Sequence, residues 1–406
     1  MVTTARSWKE TTAWRQPKRD GGPEPDPDPE RERESGVTGV ATNRPRLAKP
    51  AIRTWAWITG ALAFFTPWTA SGSSTSSGSS GSSGGAVGAA PPPLLRRPPR
   101  AALEADLRTI SHSFRAMGTT VTLIGPEDAD PIAFRRAARG IEWTFAREEV
   151  RFSRFRPESE LSRVNASAGR WVLVSPRFAA VTRFALEAAA RTGGLFDPTI
   201  LPTLIAAGYD PDLDEVLAGA RGRLHTPEPC GRFAEVRLER DWLRMPTDVA
   251  LDFGAVAKGW TVDLAAGEAV AASLPWAIVN AGGDLRIAGV PPDEGVDVGV
   301  EDPAARENET LSIRLLCGAL ATSSVSVRRW GPGLHHVMDP RSGTPADGEV
   351  VQATVWAETC AAAEILSTWA LLEGPAYLQR GPAVLLLADG RTLMNLDEGE
   401  PVELGS

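Results

Sequence analysis

The sequence predicts an α+β fold, with mixed or antiparallel sheets and packed helices. Strand-like and helix-like stretches are interleaved without the regular βαβ rhythm of a doubly wound sheet. Two long stretches carry apolar residues at helical spacing. With 42% hydrophobic residues in 406, the chain can bury a real core. We expect residues 105–406 to form a single domain of two subdomains.

The first predicted elements are a strand, a helix, a second strand and a second helix. Residues 113–124 alternate as a strand does, with a kink at their single glycine. Residues 132–152 predict a helix, and 171–174 predict a short strand after a loop. Ser175 is expected to cap a helix over 176–192, which has proline in its first turn.

The rest of the domain is predicted to be mostly strands, followed by a helix. One helix is expected after Lys258 and another over 360–372. Strands are predicted at 235–238, 248–253, 276–280, 285–288, 295–300, 311–316, 319–323 and 351–357.

Three segments of unusual composition precede the domain. Residues 1–54 are rich in charge and proline and are expected to be disordered. Residues 55–70 are apolar, follow a basic flank and predict a signal or membrane anchor, which would place the protein at the periplasmic or extracytoplasmic face of the membrane. Residues 71–104 are rich in Gly, Ser and Pro and predict a flexible linker; low-complexity sequence without a function explains them equally well.

Charge and residue counts exclude several classes of protein. The net charge of −8 argues against nucleic acid as a partner, because that function needs a clustered basic surface. Three cysteines without CxxC spacing indicate free thiols rather than a disulfide framework or a zinc site. With only four histidines, a histidine-rich metal cluster is not expected.

A stretch over residues 251–263, LDFGAVAKGWTVD, is predicted to pass from a strand into a helix. Gly254 and Gly259 lack a Cβ, so backbone could approach a ligand closely, as in a phosphate or nucleotide site. A plain connection between two core elements is the alternative.

Glu364, Ser367 and Thr368 lie at i, i+3 and i+4 of the last predicted helix. This spacing puts three oxygen-bearing side chains on one helix face. Oxygen ligands suit magnesium better than nitrogen or sulfur ligands do. A polar stripe facing solvent is the alternative.

His336 and Asp339 lie in the stretch HHVMDP. A histidine near neutral pKa, positioned by a turn, could accept the proton of a hydroxyl. A purely structural histidine remains the alternative. The predicted domain, residues 105–406, contains no GxSxG, Walker or GxGxxG motif.

Taken together, these stretches resemble the FAD:protein FMN transferase (ApbE) family, over about residues 113–372. The matching blocks follow the family's order: FRAMGT, FSRFRPESELSRVN, GGLFDPT, LDFGAVAKGWTVD, VNAGGD, ATSS, HHVMDPRSG and AAEILST. A single block is only weakly specific for the family, whereas eight blocks in the family's order are strongly specific for it.

The resemblance implies an enzyme that binds FAD and Mg²⁺ and moves FMN onto a Thr or Ser of a target flavoprotein, releasing AMP. It implies His336 as the base, with Asp339 beside it. Metal would be held by the Ala255 carbonyl with Glu364, Ser367 and Thr368. The flavin-contacting positions it implies are Met117, Phe155, Leu195, Phe196, Asp197, Asp252, Lys258 and a backbone group near Val337.

Three positions depart from the family's pattern, and two other functions stay open. Phe155 stands where Tyr is usual, Glu364 where Asp is common, and Ser324 where Gly is frequent. An FAD pyrophosphatase would use the same site with water as the acceptor. A flavin-binding protein without turnover is the third interpretation.

Overall fold

The computed structural model describes residues 108–209, 230–291, 295–301 and 309–395, together with the backbone of 94–95 and 402–404. The predicted disordered segment and the predicted signal or anchor lie outside the described residues, as does the linker apart from 94–95. Among the helices in the described ranges, none has both the length and the apolar character needed to cross a membrane.

The described strands number nineteen. They are β1 Leu94–Leu95, β2 Thr109–Ala116, β3 Thr119–Pro126, β4 Val172–Leu173, β5 Arg237–Glu239, β6 Trp242–Arg244, β7 Trp276–Ala281, β8 Asp284–Gly289, β9 Val296–Glu301, β10 Glu309–Leu315, β11 Gly318–Ser324, β12 Arg329–Gly331, β13 Leu334–His335, β14 Met338–Asp339, β15 Thr344–Pro345, β16 Val350–Ala357, β17 Ala383–Leu387, β18 Thr392–Asn395 and β19 Val402–Leu404.

Nine of these strands form the main sheet, in the order β19-β18-β17-β16-β11-β8-β7-β3-β2. Every pairing within this sheet is antiparallel. A three-stranded sheet has the order β1-β10-β9, and β4, β6 and β5 form another. The predicted α+β class with antiparallel sheets is therefore confirmed. Within the predicted linker, Leu94 pairs with Arg314 at the edge of the three-stranded sheet.

Six α-helices lie within the described residues: α1 Pro131–Phe152, α2 Glu160–Asn165, α3 Pro176–Arg191, α4 Leu201–Ala206, α5 Ala257–Ala271 and α6 Cys360–Glu373. The two long predicted helices are confirmed as α1 and α3. Their starts are capped as expected of short polar side chains. Asp130 accepts from the amides of Ile132 and Ala133 before α1, and Ser175 accepts from the amide of Phe178 at α3.

The main sheet is covered on both faces. Along β7, Ala277 and Val279 belong to the core that α1, α5 and α6 also line, whereas Trp276 and Ile278 belong to a second cluster shared with β9 and β10. This alternation is the period of two that a strand buried on both faces requires. The helices and the three-stranded sheet therefore lie on opposite faces of the main sheet.

The structure corrects two strand predictions. Residues 113–124 are not one kinked strand but parts of β2 and β3, which pair antiparallel around a two-residue turn. Met117 and Gly118 have φ of 48° and 70°, the positive values that such hairpin turns require. Residues 248–253 form no strand. The sheet also gains β17 and β18, for which the sequence analysis predicted nothing.

Candidate active site

Helices α5 and α6 approach closely at Gly259. A Cβ on this residue would lie 2.5 Å from the carbonyl oxygen of Cys360, a distance that real Cβ atoms do not tolerate. Gly254 is also crowded, since its Cβ would lie 2.8 Å from Oδ1 of Asp252. The expectation that these glycines make room for a ligand is thus wrong for Gly259, whose missing side chain makes room for α6.

Asp263 fixes the first turn of α6. Its Oδ1 accepts from the amide of Cys360 at 2.9 Å, and its Oδ2 accepts from the amide of Ala361 at 3.0 Å. Arg286 on β8 donates from Nη1 to Oδ1 of Asp263 at 2.9 Å and to the carbonyl of Glu358 at 2.6 Å. A carboxylate at a helix N-terminus satisfies free amides and complements the helix dipole. Helix α6 is therefore held in place by α5 and β8 together.

Lys258, in the first turn of α5, places its ammonium between two carboxylates. Its Nζ donates to Oδ2 of Asp284 and to Oε1 of Glu364. The amide of Gly259 donates to the other Glu364 oxygen, Oε2, at 2.8 Å. Asp284 is 2% exposed and Glu364 3%. Three elements of the fold, α5, α6 and β8, thus contribute one buried charged group each.

Burial and charge act against each other in this cluster. Burial alone would lower the pKa of Lys258, but the carboxylates of Asp284 and Glu364 more than offset it and raise that pKa. Burial raises the pKa of Glu364, and the nearby Asp284 raises it further, whereas the Lys258 ammonium lowers it. The Arg328 guanidinium also lies near enough to lower the pKa of Lys258, so two carboxylates and two cationic groups share this region.

Ser367 and Thr368 share a face of α6 with Glu364, as their spacing predicts. Both side chains donate to the Glu364 carbonyl, at 2.9 and 3.2 Å. The hydroxyl of Ser323, on β11, lies 2.8 Å from the Ser367 hydroxyl and 3.2 Å from that of Thr368. Because Glu364 and Ser367 are buried, the alternative of a solvent-facing polar stripe is wrong.

His336 lies between β13 and β14, close to the cationic side chains of Arg328 and Lys258. Burial, followed by Arg328, His335 and Lys258, lowers the pKa of His336 to about 3. Its Nδ1 is buried and has no hydrogen-bond partner among the described residues. The imidazole is therefore neutral near pH 7, with a nitrogen available as an acceptor.

Asp339 has a different environment from His336. Its carboxylate is held by Arg341, at 2.9 Å from the backbone amide and 2.6 Å from Nη2. Arg341 in turn donates to the carbonyl of Leu372 at 3.1 Å. No hydrogen bond within the described ranges joins the Asp339 carboxylate to His336, so the structure gives Asp339 a role in positioning its loop.

Asp252 belongs to a second group of predicted site residues. Its Oδ2 lies 3.3 Å from Nε of Arg154. The Arg154 guanidinium stands 4.2 Å from the ring centre of Phe155 and 4.6 Å from that of Tyr209. Tyr209 stacks on Trp330 with ring centres 4.9 Å apart. Phe155 is 41% exposed, so part of its ring remains free for a planar ligand.

Blocks distant in sequence meet at this second group. The amide of Leu251 donates to Asn165 Oδ1 at 2.8 Å, and the Asn165 amide group donates to the Leu251 carbonyl at 2.9 Å. The amide of Asp252 donates to the carbonyl of Pro198 at 2.8 Å. The segment around Asp252 is thereby joined to Pro198 through the backbone and to the Asn165 side chain, which follows the segment of Phe155.

Asp197 lies in a closed turn. It accepts from the amide and hydroxyl of Thr199, at 2.8 and 2.6 Å, and from the amide of Phe233 at 3.3 Å. Burial raises the pKa of its carboxyl group. Phe196 is buried in the main core. The structure thus uses both residues to hold their segment, with the Asp197 carboxylate 5% exposed.

The remaining predicted residues occupy turns. Met117 is in the β2–β3 turn, and its amide donates to Oε1 of Glu149 at 3.2 Å. Val337 donates from its amide to Nδ1 of His335 at 3.3 Å and shares a hydrophobic cluster with Leu195. Ala255 lies in the turn that leads into α5.

Four residues of the site were not predicted: Arg154, Asp284, Ser323 and Arg328. Three of them have a weak sequence signal. Arg154, Asp284 and Ser323 stand inside the FSRF, VNAGGD and ATSS blocks. The partner of Asp284, Lys258, lies 26 residues away, that of Ser323 lies 44 away and that of Arg154 lies 98 away, and spacing along the chain does not reveal such contacts.

The residues around Glu364 fit a magnesium ion by their chemistry. The set comprises a carboxylate, the Ser367 and Thr368 hydroxyls and nearby backbone carbonyls, all oxygen donors of the kind that Mg²⁺ prefers. A cationic group, the Lys258 ammonium, already binds the Glu364 carboxylate. The Glu364 carboxylate thus already binds one positively charged group.

Comparison with known proteins identifies the family. The sequence profile of the ApbE family matches residues 117–384. An FAD:protein FMN transferase of Vibrio cholerae is 26% identical over 247 residues, covering 58% of this chain and 73% of that protein. One from Klebsiella pneumoniae is 27% identical over 285 residues, covering 66% of this chain and 79% of that protein.

Solved structures show the same fold. The crystal structure of the ApbE protein of Thermotoga maritima matches with a TM-score of 0.61 at 25% identity, covering 72% of this chain and 97% of that one. The apo form of the Pseudomonas stutzeri flavinyl transferase ApbE matches with a TM-score of 0.60 at 21% identity, covering 71% and 95%.

The fold and the matching relatives define an enzyme of the transferase class. Because the family profile covers more than half of the sequence, the chain belongs to the ApbE family. The family resemblance stated from eight sequence blocks is thus confirmed.

Proposed function

We propose that this protein is a Mg²⁺-dependent FAD:protein FMN transferase, which attaches FMN to a Thr or Ser of a target flavoprotein and releases AMP. The carrying observation is the buried cluster of Lys258, Asp284 and Glu364, next to the neutral imidazole of His336. Membership of the ApbE family and the names of the relatives support the same activity.

The reaction replaces the phosphoanhydride bond of FAD by a phosphoester bond to the acceptor. The acceptor hydroxyl oxygen forms a bond to the phosphorus of the FMN half of FAD, and the bond from that phosphorus to the bridging oxygen breaks, so that AMP leaves. His336 accepts the hydroxyl proton, since its imidazole is neutral near pH 7 and its Nδ1 has no partner among the described residues. General bases of this kind typically contribute a factor of about 10² to 10⁴.

The charges near His336 suit a diphosphate. Lys258 and Arg328 both lie close enough to His336 to lower its pKa. Phosphoryl transfer depends mainly on positioning the phosphates and neutralising their charge. We therefore assign Lys258 and Arg328 to binding the phosphate oxygens of FAD.

Glu364, Ser367, Thr368 and the Ala255 carbonyl would hold Mg²⁺. The bound ion supplies neutralisation of the phosphate charge and a fixed orientation of the diphosphate. The protein's own contribution is to keep these oxygen donors buried and to fix α6 through Asp263 and Gly259.

Flavin contacts are assigned to the second group of residues. Phe155 presents part of its ring, and the Arg154 guanidinium is held against Asp252. Met117, Leu195, Phe196, Asp197 and Val337 complete the predicted contact set, mostly through the turns that they hold. Phe155 can stack on a flavin or adenine ring but donates no hydrogen bond, unlike the Tyr usual at this position.

The working location of the enzyme is also proposed from the sequence. The basic flank and the apolar segment 55–70 support export, with the domain tethered to, or released at, the outer face of the cytoplasmic membrane. Cell fractionation with an antibody against the domain tests this, and recovery in the cytosolic fraction alone would contradict it.

The activity is tested by incubating the full chain with FAD, Mg²⁺ and a flavin-acceptor domain that carries an acceptor threonine. The expected result is an acceptor heavier by FMN minus water, with one AMP released per acceptor modified. The acceptor with its threonine changed to alanine and a reaction with EDTA are the controls, and neither should gain mass.

The same experiment separates the alternatives. AMP and free FMN without any modified acceptor would favour the pyrophosphatase, and intact bound FAD would favour a binding protein. Titration of Mg²⁺ with the Glu364→Gln variant tests the metal site. We expect a higher Mg²⁺ requirement, and an unchanged titration would remove Glu364 from the ligand set.

A further inference from the structure

Asp284 is a buried carboxylate outside the set of residues assigned to metal or flavin. It opens β8 directly after the turn from β7, and the pairing of Asp284 with Ala281 fixes its backbone. Its carboxylate accepts from Lys258 Nζ and is 2% exposed. Burying a carboxylate costs free energy, and the ion pair with Lys258 offsets that cost. The presence of a buried Asp284 therefore suggests a function for the pair.

The two oxygens of Glu364 have different partners. Oε2 accepts from the backbone amide of Gly259, which cannot leave without moving α5. Oε1 accepts from the Lys258 ammonium, which sits on a flexible side chain. A divalent cation that binds Glu364 must therefore compete with Lys258 for Oε1.

Displacing Lys258 has a cost that Asp284 can remove. A largely buried ammonium left without any carboxylate is unfavourable, by the general cost of unpaired buried charge. Lys258 already touches Asp284, which lies on a different element from Glu364. The ammonium can release Glu364 and stay paired, with no movement of α6.

We propose that Asp284 is a positioning residue that retains the Lys258 ammonium when a divalent cation takes Glu364. This inference rests on the proposed function, since it assumes that Glu364 is a metal ligand. Two carboxylates, Asp284 and Glu364, are within reach of one lysine. The cation can therefore bind Glu364 while Asp284 keeps Lys258 in position for the diphosphate.

The test measures Mn²⁺ binding by the full chain in the absence of FAD, from the electron paramagnetic resonance signal of free Mn²⁺. Four proteins are compared: the parent, Asp284→Asn, Lys258→Met and the double variant. We expect Asp284→Asn to weaken Mn²⁺ binding about tenfold or more in the parent, since Lys258 then has only Glu364 as a partner. In the Lys258→Met background the same change should alter the affinity less than about threefold.

Comparing the effect of Asp284→Asn in the parent and in Lys258→Met separates two causes: competition of Lys258 with the cation for Glu364, and the loss of one negative charge. If Asp284→Asn weakens binding by the same factor with and without Lys258, its effect is only that of one negative charge, and the proposal is overturned. No effect in either background overturns it as well. Melting curves verify that each variant is folded, and Asp284→Ser replaces Asp284→Asn if the latter does not fold.

The Glu364→Gln variant distinguishes failure of the inference from failure of the proposed function. If Glu364→Gln binds Mn²⁺ as the parent does, or the parent binds none, Glu364 is no metal ligand, and both the metal site and the inference fail. If Glu364→Gln loses binding while the two backgrounds respond alike, the metal site stands and only the role of Asp284 is lost.

Discussion

Asp263 Oδ2, on α5, accepts a hydrogen bond of 3.0 Å from the backbone amide of Ala361, which lies 98 residues later in the chain. Together with the bond to Cys360, this contact begins the helix that carries Glu364, Ser367 and Thr368. The orientation of the predicted metal face therefore depends on a residue that is not itself part of that face.

Replacing Asp263 by Ala should destabilise the protein by about 2–3 kcal/mol, because two amides and Arg286 lose their acceptor in a largely buried place. Urea unfolding of the two proteins measures the change. Asp389→Ala is the control, since Asp389 pairs with Arg391 at an exposed site and its loss should change the stability much less. Equal effects of the two substitutions would contradict the role given to Asp263.

Gly259→Ala should destabilise the contact between α5 and α6. The added Cβ would meet the Cys360 backbone at 2.5 Å, and overpacking of this kind costs about 1–3 kcal/mol. Gly267, in the same helix, has nothing within 4 Å of its Cβ position. Gly267→Ala should therefore stabilise the protein by up to about 1 kcal/mol. Thermal unfolding gives the melting temperature of each variant. A change in the same direction for both variants would argue against a close approach of α5 and α6 at Gly259.

His336→Asn should slow FMN transfer about 10² to 10⁴-fold through loss of the base, while FAD still binds. Transfer rates and FAD titration by fluorescence measure the two effects separately. Asp339→Asn is the matched comparison, because Asp339 is paired with Arg341 rather than with His336. We expect it to slow transfer less than about tenfold, a value below the usual range for loss of a base. A full rate in His336→Asn would remove His336 from the mechanism.

The stability of the free protein should depend on His336 at acid pH. The pKa of His336 is about 3 in the folded chain, below the usual value of 6.5, so the unfolded chain binds a proton first as pH falls. The contribution of neutral His336 to the free energy of unfolding is complete above pH 6.5 and is lost as the pH falls toward 3. The slope contributed reaches about 1.4 kcal/mol per pH unit. Urea unfolding at pH 7, 6 and 5 should give a shallower dependence for His336→Asn, and equal slopes would contradict the low pKa.

Local pattern was enough to predict the elements that depend on near neighbours. The apolar spacing of α1 and α3 and the cap at Ser175 follow from residues within one or two turns, and the structure confirms them. The common face of Glu364, Ser367 and Thr368 follows from helix geometry alone.

Contacts between distant residues could not be predicted in this way. Met117 and Gly118 look like a kink in a strand until β2 and β3 are seen to pair. Gly259 has the same sequence signal whether its missing Cβ admits a ligand or a helix. Asp284 and Asp263 have roles that are defined by Lys258 and by the start of α6, and neither partner is near them in sequence.

The bond between Lys258 and Glu364 joins residues 106 positions apart. During synthesis the ribosome must therefore complete α6 before the lysine can meet this carboxylate. Contacts of such long range form late in folding and slow it. A nascent or truncated chain that ends before residue 360 would contain Lys258, Asp284 and His336 yet could not assemble the charged cluster, so the cluster can form only after α6 has been synthesised.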